Sequence, residues 1–428
     1  MRTYTYDDLT EDDIARIVRR PTAGNAAFRT AAASLCRTVQ QDGDTAVRQL
    51  TRKYDGVDVD KVRIPESEIN SARSRISEDL LTAIRTAIRN VSAFHTIQRP
   101  SAGSLETSPG VRCWREIRPI RRVGLYIPAG SAPLPSTLIM LGVPATLAGC
   151  NEIAVCSPPD SDGSVHAAIL ATAAELGLRE VYRVGGVQAI AAMAFGTESI
   201  PKVDKIFGPG NAYVTAAKEY VSTDPNGVPI DLAAGPSELL IIADESADPN
   251  LLAADLLSQA EHDPSSQVVI VSSNRSIIEQ TIEAIQRRLP DTPRRSIIER
   301  SLEMSFAVVT ATLEEAVHFS NIYAPEHLSI QIDSPLSLTP SIRNAGSVFL
   351  GRWAPVAAGD YASGTNHTLP TSGNATAQSG VSLESFTKTI SFQSLTEQGL
   401  LSLAPTLTAL STAEELFEHR RAVEIRFQ

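Results

Sequence analysis

Near the start of the chain, apolar side chains recur every three or four positions with polar ones between, at Ile14 to Arg19, Ala26 to Asp42 and Leu80 to His95. Residues so spaced share one face of a helix, so the pattern predicts amphipathic helices. Ala27 to Cys36 is small and apolar, as at a close packing seam. After Pro100 the texture changes to a loop with Gly103 and Gly110, and Val111 to Leu125 is β-branched and basic. From Val123 onward, strand, turn and helix alternate. Val123 to Ile127 ends at Pro128-Ala129-Gly130, and Glu152 to Cys156 closes at Pro158-Pro159-Asp160 before an alanine-rich helix, Val165 to Leu176. Val181 to Val184 reaches Gly185-Gly186 and a helix to Phe195, and Lys205 to Phe207 runs into Gly208-Pro209-Gly210-Asn211 and another helix. The rhythm returns with strands at Leu239 to Ile242, Gln267 to Val271 and Phe306 to Thr310, and helices at Leu251 to His262 and Ile277 to Leu289. Two such blocks imply two α/β units with parallel sheets and crossover helices. Ligands of such sheets usually sit beyond the carboxyl ends of the strands. From residue 382 the chain turns polar and ends in a short helix, Thr412 to Val423, too thin to form a domain alone.

Length and composition narrow the class. At roughly 150 residues per domain, 428 residues suggest two or three domains. With 38 basic and 49 acidic side chains the formal charge is -11, which argues against a nucleic-acid partner. Four cysteines, Cys36, Cys113, Cys150 and Cys156, form no C-x-x-C pair, so a zinc ribbon, a thioredoxin-type site or a disulfide framework is not expected. Leu141 to Cys150 is interrupted by Gly142, Pro144 and Gly149, and no segment reads as a membrane span. The opening Met-Arg-Thr-Tyr-Thr-Tyr-Asp-Asp has early acids and no apolar core, unlike a signal peptide. The expectation is a cytoplasmic, multi-domain protein with reduced thiols.

Several residues could carry chemistry. No G-x-G-x-x-G opens a helix after a strand, so the usual dinucleotide fingerprint is missing. Gly208-Pro209-Gly210-Asn211 is the nearest substitute, either a tight turn or a backbone anion site at a helix N-terminus. His318, beside Glu314 and Glu315, reads as solvated surface, while His95 and His166 read as ordinary helical residues. Gln259 and His262, three apart, share a face at a helix end; a histidine there is either a dipole cap or a ligand. Adjacent Glu326 and His327 offer two proton acceptors of different strength, or a plain surface dipeptide. Asp360, in the glycine-rich run Gly359 to His367, is a turn residue or a metal ligand. Asp360 with Gln259, His262 and one more nitrogen would make an N/O set suited to zinc. On the last helix, Glu415 lies four residues before His419, and Ser411 with Glu414 fits a capping box.

Six stretches in order carry a family likeness. They are Val123 to Pro128, Phe207 to Asn211, Ala234-Gly235-Pro236-Ser237-Glu238, Ser258 to His262, Ala324 to Leu328, and Gly359-Asp360-Tyr361 through Asn366-His367. The chain resembles the histidinol dehydrogenases from about residue 25 to the last helix. The resemblance implies an α/β fold of two incomplete Rossmann-like parallel-sheet units with a helical N-terminal arm and a C-terminal tail. The implied boundaries are an arm at 1–24, a discontinuous first domain at 25–126 and 238–381, a second domain at 127–237 making the NAD contacts, and a tail at 382–428. It also implies oxidation of L-histidinol to L-histidine in two NAD-dependent steps through a bound aldehyde, with one zinc ion per subunit. By motif, Gln259, His262, Asp360 and His419 match the zinc ligands and Glu326 and His327 the acid/base pair. Ser237, Glu414 and His327 match substrate contacts, as do the zinc ligands; Tyr126, Gln188 and Asn211 match positions that touch NAD. A homodimer whose tail completes the partner's site is implied, with no membrane partner.

Three departures stand out: Ala129 where glycine is common, Leu232-Ala233 in place of Met-Pro, and Glu415 where glycine is often found beside Glu414. No acid is recognisable as a reader of the NAD ribose. Two enzyme rivals are a thiol-dependent aldehyde dehydrogenase using Cys113 or Cys150, and a zinc hydrolase with Glu326 activating water. A third rival is a two-lobed binding protein without catalysis.

Overall fold

The structure, a computed structural model, describes residues 1–20, 26–99, 103–129, 132–233 and 235–428. Pro100, Gly130, Ala234 and the expected boundary at residues 24 and 25 lie outside the described residues. Both anticipated parallel sheets are present. One has six strands, in the order Arg2–Thr5, Phe306–Val309, Gln267–Ser272, Glu238–Ala243, His327–Gln331 and Ser347–Leu350, with every neighbouring pair parallel. The other has four, in the order Glu180–Arg183, Glu152–Ser157, Arg122–Tyr126 and Lys205–Phe207, again all parallel. The central strands Glu238–Ala243 and Gln267–Ser272 are buried throughout, as expected of β-branched runs covered by helices on both faces.

Helices cover the four-stranded sheet on both sides. Ala32, Cys36 and Val39 of the helix Ala26–Asp55 share a core with Ala154, Ile190 and Val214, so the small-residue seam is a true packing face. Leu138 and Ile169 pack on the opposite face with Val123, Leu125 and Ile127. This arrangement corrects the grouping of 25–126 with 238–381. The helix Ala26–Asp55 and the strand Arg122–Tyr126 belong with the four-stranded sheet, because their apolar faces match its alanine-rich helices. The N-terminal arm is also not purely helical. Arg2–Thr5 pairs with Phe306–Val309 at the sheet edge before the helix Glu11–Ile17, and so covers an otherwise open edge.

The tail departs furthest from expectation. Thr387–Leu395 pairs antiparallel with Val111–Pro119, which pairs with Ser104–Ser108, forming a third sheet in which Trp114 stacks on Phe392 at 5.3 Å. A 17-residue helix, Glu397–Ala413, precedes a second, Phe417–Glu424, where the sequence suggests one helix over Thr412 to Val423. The break falls at Glu415, which adopts φ 57. Ser411 therefore lies inside a helix, bonding back to the Leu407 carbonyl, and Glu414 is a C-cap and no part of a capping box. Glu415 and His419 are not helix neighbours either. Leu410, Leu416, Phe417 and Ile425 are exposed along this arm.

Candidate active site

The Glu326-His327 dipeptide sits at the amino end of a strand. The helix Leu313–Tyr323 ends in Ala324, held at φ 50, and Pro325-Glu326 then leads directly into His327–Gln331. A left-handed alanine costs about 1–2 kcal/mol and persists only where its surroundings hold it. Register places His327 beside Leu239, so the pair lies against the start of Glu238–Ala243. Ligands of parallel sheets usually sit at the carboxyl edge. Here the amino edge of the six-stranded sheet carries the candidate chemistry.

Glu238 joins both side chains through its main chain. Its N–H donates to Glu326 Oε2 at 2.7 Å, and its carbonyl accepts from His327 Nδ1 at 3.0 Å. A carbonyl oxygen only accepts, so Nδ1 carries the hydrogen and Nε2 faces the site. Nε2 is buried without a hydrogen-bond partner, and Asp360 Oδ1, at 3.6 Å, is too distant to serve as one. Glu326 and His327 are both buried, which excludes the surface-dipeptide reading. Burial by itself would lower the imidazole, but Glu326 beside it and Asp360 opposite prevail and push His327 up to about 10. Burial also raises the Glu326 carboxyl above its ordinary range.

Asp360 lies on the short helix Val356–Tyr361, which packs against the helix Pro249–Ala260. A Cβ on Gly359 would meet the Phe349 ring at 2.6 Å, so glycine allows the close seating that brings Asp360 to His327. Burial works against the Asp360 carboxylate, yet His327 and the imidazoles of His367 and His262 hold it below its usual range. Gln259 is the next-to-last residue of its helix and His262 lies in the following turn, its N–H directed to the Gln259 carbonyl at 3.3 Å. Burial lowers His262, favouring the neutral, ligating form. Gln259 Oε1 is buried with no hydrogen-bond partner, a cost of about 1–3 kcal/mol that a bound cation would relieve. These N and O donors fit zinc.

The remaining expected residues divide clearly. Ser237 immediately precedes the site strand, and its carbonyl accepts from Gln267 N–H at 3.1 Å. Glu414 and His419 are exposed on the tail, and among the described residues no hydrogen bond or ion pair joins either to Gln259, His262 or Asp360. His367, quoted in a motif but assigned no role, belongs to the cluster: Nδ1 bonds the Asp360 carbonyl at 2.9 Å. His95 is a core residue, His166 caps its own helix, and His318 is exposed.

At the carboxyl edge of the four-stranded sheet, Tyr126 ends its strand, Gln188 lies in the first turn of the helix Gly186–Phe195, and Asn211 is the N-cap of the helix Ala212–Thr223. Tyr126 Oη accepts from Gly186 N–H at 3.1 Å, and burial pushes the phenol up to about 12, keeping it neutral. Gln188 Nε2 donates to Asp55 at 3.3 Å, and burial raises that carboxyl to about 6. Asn211 Oδ1 caps the helix Ala212–Thr223 by accepting from Tyr213 and Val214. Gly208, at φ 122, approaches so closely that a Cβ would lie 2.2 Å from the Tyr126 carbonyl. Beneath this turn Lys218 Nζ reaches Asp231 at 2.5 Å and the Gly208 carbonyl at 2.7 Å, while Asp231 accepts from Gly208 N–H at 2.8 Å. Glycine turns opening onto the N-termini of Gly186–Phe195 and Ala212–Thr223 suit a pyrophosphate. No sequence motif drew attention to Asp55, Lys218 or Asp231.

Two parallel α/β sheets, one with a buried carboxylate–imidazole pair at its edge and the other with glycine turns opening onto helix N-termini, are the frame of an NAD-linked dehydrogenase. Neither rival nucleophile fits: burial pushes Cys150 up to about 12, and Cys113 sits on the antiparallel arm opposite Gln393. The family model for histidinol dehydrogenase matches residues 18–427, and the chain belongs to that family. It is 49% identical to the histidinol dehydrogenases of Vibrio parahaemolyticus and Aliivibrio fischeri, covering 100% of this chain and 99% and 97% of theirs. The crystal structure of histidinol dehydrogenase from Elizabethkingia anophelis superposes with TM-score 0.95 at 45% identity, covering 100% of this chain and 98% of that one.

Proposed function

We propose that the chain oxidises L-histidinol to L-histidine in two NAD-linked steps at one site, with Glu326 and His327 handling protons and zinc held by Gln259, His262 and Asp360. The observation that carries this is a single residue's main chain gripping both Glu326 and His327 within reach of Asp360. His327 in its neutral form takes the hydroxyl proton on Nε2, while Nδ1 stays committed to the Glu238 carbonyl. A cation on Asp360 would favour that neutral form by removing one of the two carboxylates that raise the ring. Glu326, with Oε2 held by an N–H, then takes a proton from the water that adds to the aldehyde. NAD, when bound, would supply the hydride acceptor for each step, and zinc, when held by Gln259, His262 and Asp360, would supply a fixed point for orienting the substrate's imidazole and amine. Tyr126, Gln188 and Asn211 would hold the dinucleotide, and Ser237 the substrate. Purified protein is expected to contain one zinc per chain and to form two NADH per histidinol; one NADH per histidinol would refute the double oxidation.

The fourth zinc ligand, His419, and the substrate contact Glu414 would come from the tail of a second subunit. Supporting this, both are exposed on an arm that also leaves the large apolar side chains Leu410, Leu416, Phe417 and Ile425 exposed to solvent. Mixing His419→Ala with His262→Ala protomers is expected to restore activity, since each mixed dimer keeps one intact site. No recovery would count against exchange of the tails. Among the described residues no helix is long and apolar enough to cross a membrane, and we assign the enzyme to the cytoplasm.

A further inference from the structure

Glu238 contributes more than its main chain. Its side chain is almost wholly buried and forms the centre of a second network behind the acid/base pair. Oε1 accepts from Arg20 Nε at 3.0 Å and from Ser372 N–H at 2.7 Å; Oε2 accepts from Arg20 Nη2 at 2.9 Å. The guanidinium is itself fixed. Nη1 donates to the Val18 carbonyl at 2.6 Å, Nη2 donates to the Tyr323 carbonyl at 2.8 Å, and the Tyr323 ring lies 3.6 Å from its central carbon. Tyr323 is in turn anchored, donating from its hydroxyl to Gln267 at 2.8 Å. One forked arginine thus ties the N-terminal arm, the helix end that delivers Glu326 and the strand start that holds His327.

We infer that Arg20 and Glu238 form a positioning clamp that sets the direction of the Glu326 carboxylate and the His327 ring. The inference rests on the proposed roles of those two residues. Neither clamp side chain bonds Glu326 or His327 itself; both act through the Glu238 N–H and carbonyl. A buried ion pair is a costly way to gain stability alone, because apolar residues of similar size commonly replace one without loss. A shared anchor for two bases is a use that apolar residues would not serve. Small errors of placement in an acid/base pair cost rate while leaving remote binding intact.

The R20M/E238M variant tests this, since it removes the pair without leaving a lone buried charge. Its kcat for histidinol oxidation is expected to fall at least 10-fold, with the KM values for histidinol and NAD within 2-fold of wild type and zinc content unchanged. E238Q, which keeps an amide oxygen for Arg20 or Ser372, is expected to retain at least a third of wild-type kcat. Wild-type turnover in folded R20M/E238M would overturn the clamp, as would kcat falling together with zinc content. If that variant fails to fold, R20K reads the same split, because a lysine keeps the charge but loses the fork; unchanged kcat there would overturn it. H327N run alongside separates the clamp from the reading beneath it. Wild-type turnover in H327N refutes the acid/base assignment itself, whereas a slow H327N with a fast R20M/E238M refutes only the clamp.

Discussion

Replacing His327 with Asn is expected to slow oxidation of histidinol by about 10²–10⁴-fold, while Glu326→Gln slows oxidation of supplied histidinaldehyde by a similar factor. The two losses should fall on different half-reactions. His327 exposes an unpartnered Nε2 and binds the Glu238 carbonyl through Nδ1, the arrangement needed to accept a hydroxyl proton. An asparagine preserves much of the volume but has no basic nitrogen. Glu326 is buried and raised, so its proton affinity exceeds that of an ordinary carboxylate, which suits drawing a proton from water. Glutamine keeps an oxygen for the Glu238 N–H and so preserves the local geometry. Stopped-flow traces with alcohol and aldehyde as alternative substrates separate the steps. Equal losses on both substrates in both variants would show that the division of labour is wrong.

Lys218→Met is expected to destabilise the fold by about 3–5 kcal/mol, because Asp231 would be left as an unpaired buried charge. In a protein of this size that corresponds to a fall in apparent Tm of roughly 3–6 °C. Both side chains are 1% exposed, and together they hold the backbone of Gly208 from two directions. The KM for NAD should rise alongside, since Asn211 follows in the same turn. A second change, Asp231→Leu in the Lys218→Met background, removes the stranded charge and should recover much of the lost Tm. It should leave the KM for NAD high, because nothing then grips Gly208. Calorimetry with initial-rate kinetics checks both, and a Lys218→Met protein that melts with wild type would remove the ion pair from the account.

Much of the fold is readable from local rhythm. Lys205–Phe207 falls where the pattern places it, and the strands beginning at Glu152 and Gln267 agree to within a residue. Buried parallel strands leave such marks because they are short apolar runs between turns. The third sheet leaves a weaker one: Thr387–Leu395 is mostly exposed on both faces, so no clean alternation survives. The tail break is hidden for another reason. Glu415 takes a left-handed conformation without the glycine that usually signals it.

The Glu326-His327 dipeptide stands out in the sequence, but its position at the amino edge does not. That depends on pairing His327–Gln331 with Glu238–Ala243, residues nearly ninety apart. Arg20 is further still, 218 positions from the carboxylate it grips. Local spacing carries no record of such partners. Gln259 and His262 were legible as neighbours, and Asp360 only as a candidate awaiting a place.

The distribution of thiols has a practical consequence. Burial raises the Cys36, Cys150 and Cys156 thiols well above neutrality, and all three are enclosed. A thiol that holds its proton reacts slowly with maleimides and iodoacetamides. Cys113 alone is partly open, on the strand that hydrogen-bonds the beginning of the tail. The native chain therefore carries one selective attachment point for a fluorophore or spin label, already located where the arm leaves the body. Distances between labels on two chains would test the proposed pairing of subunits directly, with no cysteine introduced or removed.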